Sequence, residues 1–253
     1  MNLDKKIYKY CSYDVGELIV SGLILKFSNP SSFNDPFDCD INLLNFDFRE
    51  CNQEIIDDLE KIKKDVSKTF GKDMSIEIDS ITKTKLEEIY RNSQINKIQT
   101  SSICCFSRIF NNTAMWSHYA DNHKGICLVF DPYIQNPFTE FNSDRFTEGT
   151  VEYENYTPIN YLKSKRNGIK QLFLTKSNDW KHEEEFRYII FEDSGFFSFK
   201  KEFLKGIIFG LRVKDEDINR LMNICDKKGY TNLLFGKFTK NKLQLDLKIL
   251  NKP

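Results

Sequence analysis

The chain has 253 residues, 40% of them hydrophobic and 29% charged, with 37 Lys and Arg against 37 Asp and Glu. That length can bury a substantial core, and zero net charge removes the usual electrostatic signature of a nucleic-acid-binding or membrane-surface protein. No run approaches the roughly 20 apolar residues of a membrane span, the start MNLDKKIYKY has no signal-peptide core, and the seven cysteines show no paired CxxC spacing. The expectation is a cytoplasmic protein in which Cys104, Cys105, Cys127 and Cys225 serve as small buried hydrophobes.

In chain order, residues 7–13 (IYKYCSY) alternate well enough for a first strand, with Tyr8 and Tyr10 on one face and Lys9 on the other. A short helical turn over 14–21 leads to a second strand at 23–28. Two prolines, two asparagines and two aspartates then fall within residues 29–38, which demands a structured loop. Phe33 and Phe37 give that loop apolar anchors, and Phe37 is expected in the core. Residues 52–70 read as a helix that buries Ile55, Leu59, Ile62, Val66 and Phe70. A second helix over 77–96 would bury Ile78, Ile81, Leu86 and Ile89. Together they form a helical insertion at about 50–98.

The centre of the pattern is residues 111–131. Asn112 or Thr113 can cap a short helix carrying Met115, Trp116, Tyr119 and Ala120 at helical spacing, and Gly125 suits its end. His118 is expected to point into a polar cleft. The apolar run 125–130 is a buried strand, as is 103–107 before it. Residues 132–150 read as loop, and 151–156 as a short strand. The stretch 160–178, with Lys163, Lys165, Arg166, Lys170 and Lys176, reads as a basic helix or loop of the solvated kind. A strand ends at Phe191. If its pleat reaches back far enough, Glu183, Glu185 and Arg187 share one face and Glu184 points away. Residues 206–210 form a buried strand, Asp215 caps a helix over 216–228, and strands at 231–235 and 243–249 close the sheet. The fold class is α+β: one domain over residues 1–253, with a mixed central sheet of about seven to nine strands and flanking helices.

Four motifs resemble a bacterial family of unknown function often encoded near phage-defence genes. They are Tyr8-Lys9-Tyr10, the Phe33 to Asp38 loop, Cys105-Phe106-Ser107 followed by Met115 to Ala120, and Trp180 with Glu183, Glu185 and Arg187. That resemblance supplies no function; its gene neighbourhood implies a defence-system partner protein and a toxin or anti-phage role for whatever activity the chain has. A weaker resemblance is to ADP-ribosyltransferases, in which a first-strand residue holds the NAD ribose, a following loop covers the dinucleotide and a late strand carries a glutamate. It implies NAD as substrate, held by Tyr8, Lys9, Tyr10, Ser28, Asn34 and Asp35, with Glu185 or Glu183 as the carboxylate and a protein or nucleic acid as acceptor. The usual first-strand His-x-Thr or Arg is absent here.

Breaking the nicotinamide–ribose bond passes through an oxocarbenium-like state, which a nearby carboxylate stabilises. Glu185 is the expected catalytic carboxylate, oriented by Arg187, with Glu183 as the second candidate and His118 as a further polar group. Trp116, Tyr119 or Tyr10 can stack on the nicotinamide, and Lys9, Arg108 or Arg187 can neutralise the pyrophosphate. The alternatives are a nuclease, with Asp35, Asp38, Glu183 and Glu185 holding Mg²⁺ and Lys176 or Lys181 assisting, and a non-catalytic ligand-binding sensor. His118, His123 and His182 have no spacing that compels a zinc site.

Overall fold

The structure is a computed structural model that describes residues 3, 5–47, 49, 53, 55–57, 59–61, 64, 75–140, 146–155, 158–164, 166–191, 194–242 and 244–250. Its frame is an eight-stranded mixed sheet in the order β14-β13-β12-β5-β1-β4-β10-β6. These strands are β1 (Ile7–Cys11), β4 (Ser102–Ser107), β5 (Ile126–Phe130), β6 (Phe146–Thr150), β10 (Glu185–Ile190), β12 (Leu204–Phe209), β13 (Leu234–Asn241) and β14 (Gln244–Leu250). Only β12 and β13 run parallel; the other neighbours are antiparallel. The α+β expectation therefore holds. Residues 146–150, expected as loop, form the edge strand β6 beside β10.

Strand β1 is central because its two faces both find apolar partners. Ile7 and Cys11 join a large core that includes Phe106, Leu128, Phe130, Tyr188, Phe203 and Ile207. Tyr8 and Tyr10 face the other way and pack with Met115, Trp116, Cys127, Val129 and Phe238. On that second face, beyond β4, lies another cluster containing Ile103, Ile189, Leu162 and Phe173.

Helix α1 (Tyr13–Gly22) links β1 to β2 (Ile24–Phe27), with Ser12 as its cap. Helix α2 (Ser75–Gln99) turns Tyr90, Gln94 and Ile98 towards the protein, whereas Ile89, expected inward, is 60% exposed. The side chains of Ile78, Ile81, Leu86, Ile62, Val66 and Phe70 lie outside the described residues. Ile55 and Leu59 are buried as expected. Helix α3 (Thr113–Tyr119) is capped by Asn112, whose Oδ1 accepts from the Ala114 and Met115 amides at 2.8 and 3.2 Å. The helix ends at Ala120, not at Gly125 as expected; residue 125 is glycine because a Cβ there would sit 2.1 Å from the Cys11 carbonyl oxygen. Residues 160–178 resolve into β8 (Ile159–Asn160), α4 (Tyr161–Ser164), α5 (Arg166–Phe173) and β9 (Thr175–Ser177). Strand β9 pairs in parallel with β7 (Glu152–Glu154), and β8 with β3 (Leu44–Asn45). The short β11 (Gly195–Ser198) pairs with β2. Helix α6 (Asp215–Lys227) has Lys214 at its cap position, so Asp215 stands in the first turn, bonded to Lys237 at 2.8 Å, rather than capping. Among the described residues, no helix is long and apolar enough to cross a membrane.

Candidate active site

The sheet opens between β1 and β4. The two strands share one registered pair, Tyr8 with Ser107, while the start of β4 is bridged instead by Ser28, through reciprocal backbone bonds with Ile103. Lys9 fills part of the gap, donating from Nζ to the Cys105 carbonyl at 2.9 Å with its ammonium 5.3 Å from the Phe106 ring centre. A cavity of about 230 Å³ lies at this opening. Its wall includes Tyr8, Lys9 and Tyr10 from β1, Phe33, Asn34 and Asp38 from the loop, Tyr119 from α3, and Lys176, Glu183 and Glu185.

Both glutamates turn inward because of the residue between them. Residues Asn178–Glu183 form a 3₁₀ helix, and Glu184 follows with φ 44° and ψ 55°. That left-handed step reverses the chain before β10 begins, so Glu184 is exposed while Glu183 and Glu185 are 3% and 5% exposed. The expected common face is reached by this turn and not by an extended pleat. The turn is pinned on both sides. Ser107 Oγ donates to the Glu183 carbonyl at 2.6 Å, the Arg108 amide to the Glu184 carbonyl at 2.8 Å, and the Glu185 amide to Tyr153 Oη at 2.7 Å.

The carboxylates meet two buried cations. Lys176 Nζ donates to Glu183 Oε2 at 2.6 Å and to Glu185 Oε1 at 2.5 Å, and lies 4.6 Å from the Trp180 ring centre. Arg187, fully buried, donates from Nε to Glu185 Oε2 at 2.6 Å and grips Asp38 with Nη1 and Nη2 at 2.8 and 2.5 Å. Its Nη1 also reaches the Phe173 carbonyl at 2.9 Å. Buried ions need this degree of pairing, because each pays a desolvation cost of several kcal/mol.

Three carboxyls face two cations, and the surroundings set the proton affinities of the two glutamates apart. Burial and the neighbouring Glu185 raise Glu183 above the usual carboxylate range, against the pull of Lys176 and Tyr119. Burial also opposes ionisation of Glu185, but the Arg187 charge and hydrogen bond, with Lys176, outweigh it and hold Glu185 well below that range. Tyr119 Oη donates to Glu183 Oε1 at 2.5 Å and accepts from Asn34 Nδ2 at 3.2 Å. Glu183 is thus the readier proton acceptor of the two, and Glu185 the fixed charge. Two carboxyls pushed apart in proton affinity form the pattern of an acid–base site.

The structure gathers Tyr8, Lys9, Tyr10, Asn34, Tyr119, Glu183 and Glu185 around one cavity. Other expected site residues lie elsewhere. His118 is solvent-exposed on the outer side of α3 and does not line the cavity. Trp116 is fully buried core, its Nε1 donating to the Phe110 carbonyl at 2.7 Å, and offers no stacking face. Ser28 belongs to the strand bridge, and Asp35 lines a different cavity. Arg187 is sealed behind the carboxylates, which makes it a positioning residue and rules out direct pyrophosphate contact. Arg108 is exposed and donates to Thr150 Oγ1 at 3.0 Å. Phe37, expected in the core, is 71% exposed.

Residues 115–188 match the model of a family described as protein of unknown function (DUF2971). The matched stretch opens in α3 and closes in β10, so it contains Tyr119, Lys176, Glu183, Glu185 and Arg187, while Lys9, Asn34 and Asp38 lie outside it. No curated protein and no solved structure matches the chain.

Proposed function

We propose that the cavity between β1 and β4 binds the nicotinamide–ribose end of NAD and transfers ADP-ribose to a protein or nucleic-acid acceptor. The observation that carries this reading is the pairing of Glu183 and Glu185. One carboxyl has raised proton affinity and the other is held ionised, both at the wall of a cavity lined by Tyr10, Phe33 and Tyr119. At about 230 Å³ the space suits one ring-sized group, below the ~300–1,000 Å³ of pockets that engulf larger ligands, so the adenylate would extend outside it. Lys9 has no carboxylate partner among the described residues and offers its charge to a pyrophosphate oxygen.

In this reading the C1′–N bond breaks with its electron pair leaving on nicotinamide, which departs neutral. The fixed negative charge of Glu185 favours the oxocarbenium-like ribose. An acceptor nucleophile forms the new bond to C1′ and passes its proton to Glu183, whose raised proton affinity suits a general base. Arg187 and Lys176 hold both carboxylates in place.

The metal-dependent nuclease reading loses support on one observation. The oxygens of Asp38, Glu183 and Glu185 that would ligate a cation are already engaged by Lys176 and Arg187. A ligand-binding module without chemistry remains the second reading, favoured by the closed pairing of Glu185 with Arg187. Incubation with NAD labelled on the adenylate, in the presence of protein, DNA and RNA acceptors, separates these readings. Nicotinamide release with label transfer is the expected result. NAD bound but never cleaved assigns the module, and magnesium-dependent cutting of nucleic acid reinstates the nuclease.

A further inference from the structure

A second cavity, of about 630 Å³, shares Phe33 and Asp38 with the first and is otherwise separate from it. It lies between the 29–39 loop, the end of α2 and Ser194, with Asn29, Ser31, Asp35, Ile98 and Gln99 in its wall. Asp35 is 4% exposed. Its Oδ1 accepts from the Phe37 amide at 3.0 Å, whereas its Oδ2 is buried without a hydrogen-bond partner among the described residues. A buried carboxylate oxygen left unpaired is costly, and native proteins seldom retain one without a donor to meet it.

The rest of the wall has the same sign. Ile98 and Gln99 are the last turn of the 25-residue helix α2, where the helix dipole is negative. Asp38 is already neutralised by Arg187, and no Lys or Arg lines this cavity among the described residues. Asp35 is therefore the carboxyl of this wall with no cation against it among the described residues. Phe33, in the same wall, supplies an aromatic ring. A carboxylate with a nearby aromatic face suits guanidinium better than ammonium, because guanidinium is planar, weakly hydrated and stacks on rings.

We propose that this second cavity is a binding site for a guanidinium group, paired with Asp35 and flanked by Phe33. It stands apart from the NAD reading of the first cavity. The guanidinium can belong to a small molecule or to an arginine side chain of a partner protein. Calorimetric titration with agmatine and, separately, with a blocked Gly-Arg-Gly peptide distinguishes the two sources. Binding of either probe, weakened at least about tenfold by Asp35→Asn, supports the site. Ser31→Arg, at an exposed wall position, introduces a competing guanidinium and is expected to abolish binding; it decides the matter if Asp35→Asn does not fold. Glu183→Gln, which disables the first cavity, should leave probe binding unchanged. Failure of both probes to bind the wild type at millimolar concentration overturns the proposal. So does equal binding by the wild type and a folded Asp35→Asn protein.

Discussion

Replacing Arg187 by Met tests what holds the carboxylates in place. Arg187 is fully buried and supplies both bonds from nitrogen to the Asp38 oxygens and one of the two cation contacts of Glu185. Met keeps most of the side-chain length, so the packing loss is small. The charge loss is not small, because Asp38, its carboxylate 1% exposed, keeps only a weak thiol donor, Cys39 Sγ at 3.3 Å, and Lys176 at 4.0 Å among the described residues. Breaking one side of a buried ion pair costs about 3–5 kcal/mol. That is a large part of the ~5–15 kcal/mol by which a domain is stable. At about 2–4 °C per kcal/mol for a chain of this size, Tm should fall by roughly 6–20 °C. Urea unfolding followed by circular dichroism, with an unchanged denaturant slope, reads the loss directly. Adding Asp38→Asn to Arg187→Met should restore part of it, since the stranded charge is removed. The coupling should lie within about 0.5–3 kcal/mol. A loss below about 1 kcal/mol, or strictly additive variants, would show that the network does not anchor the loop.

Three further outcomes follow from the same contacts. Trp116→Ala should destabilise by about 3–5 kcal/mol, because the indole is fully buried against Tyr10 and Phe238; an unchanged melting point would contradict its core role. Tyr119→Phe removes the hydroxyl bonded to Glu183 and should cost about 1 kcal/mol while raising Glu183 further, which a carboxyl ¹³C titration would register as an upward shift. Stability should depend on pH with opposite signs at the two glutamates. Glu185, depressed when folded, contributes fully above the ordinary carboxylate pKa of ~4.3, and its contribution is lost as pH falls below that towards its folded value. Glu183, raised when folded, contributes most below ~4.3 and loses that contribution as pH rises through its raised value. Comparing Glu183→Gln with Glu185→Gln across pH separates them, and parallel profiles would refute the assignment.

Much of this arrangement is legible in residue order. The alternation at 183–187 marks a charged strand face, and Tyr8-Lys9-Tyr10 together with the Phe33 to Asp38 loop marks the opposite wall. Lys176 is not legible as the central cation. It sits among Lys163, Arg166 and Lys170 in a run that reads as solvated surface, and only the parallel pairing of β9 with β7 carries it inside. Nor does local sequence join Asp38 to Arg187, which are 149 positions apart. His118 and Phe37 depart from expectation for a related reason. Periodicity identifies a short helix or a structured loop, but over seven residues of α3 it cannot say which flank meets a cleft. Trp116 is buried as its spacing predicts, and the same burial keeps it out of the cavity wall.

The central claim is that Glu183 and Glu185 act on NAD in the β1–β4 cavity, and nicotinamide release by Glu183→Gln relative to wild type tests it most directly. The amide introduced by this substitution keeps the shape of the carboxyl and an oxygen that can still accept from Tyr119 or Lys176. Tm should therefore change little, while the proton acceptor is gone. The account predicts release in the wild type and a fall of about 10²–10⁴-fold in the variant, the range typical of losing a general base. Release at the wild-type rate by a folded Glu183→Gln protein, or no release by the wild type with any acceptor, would contradict it.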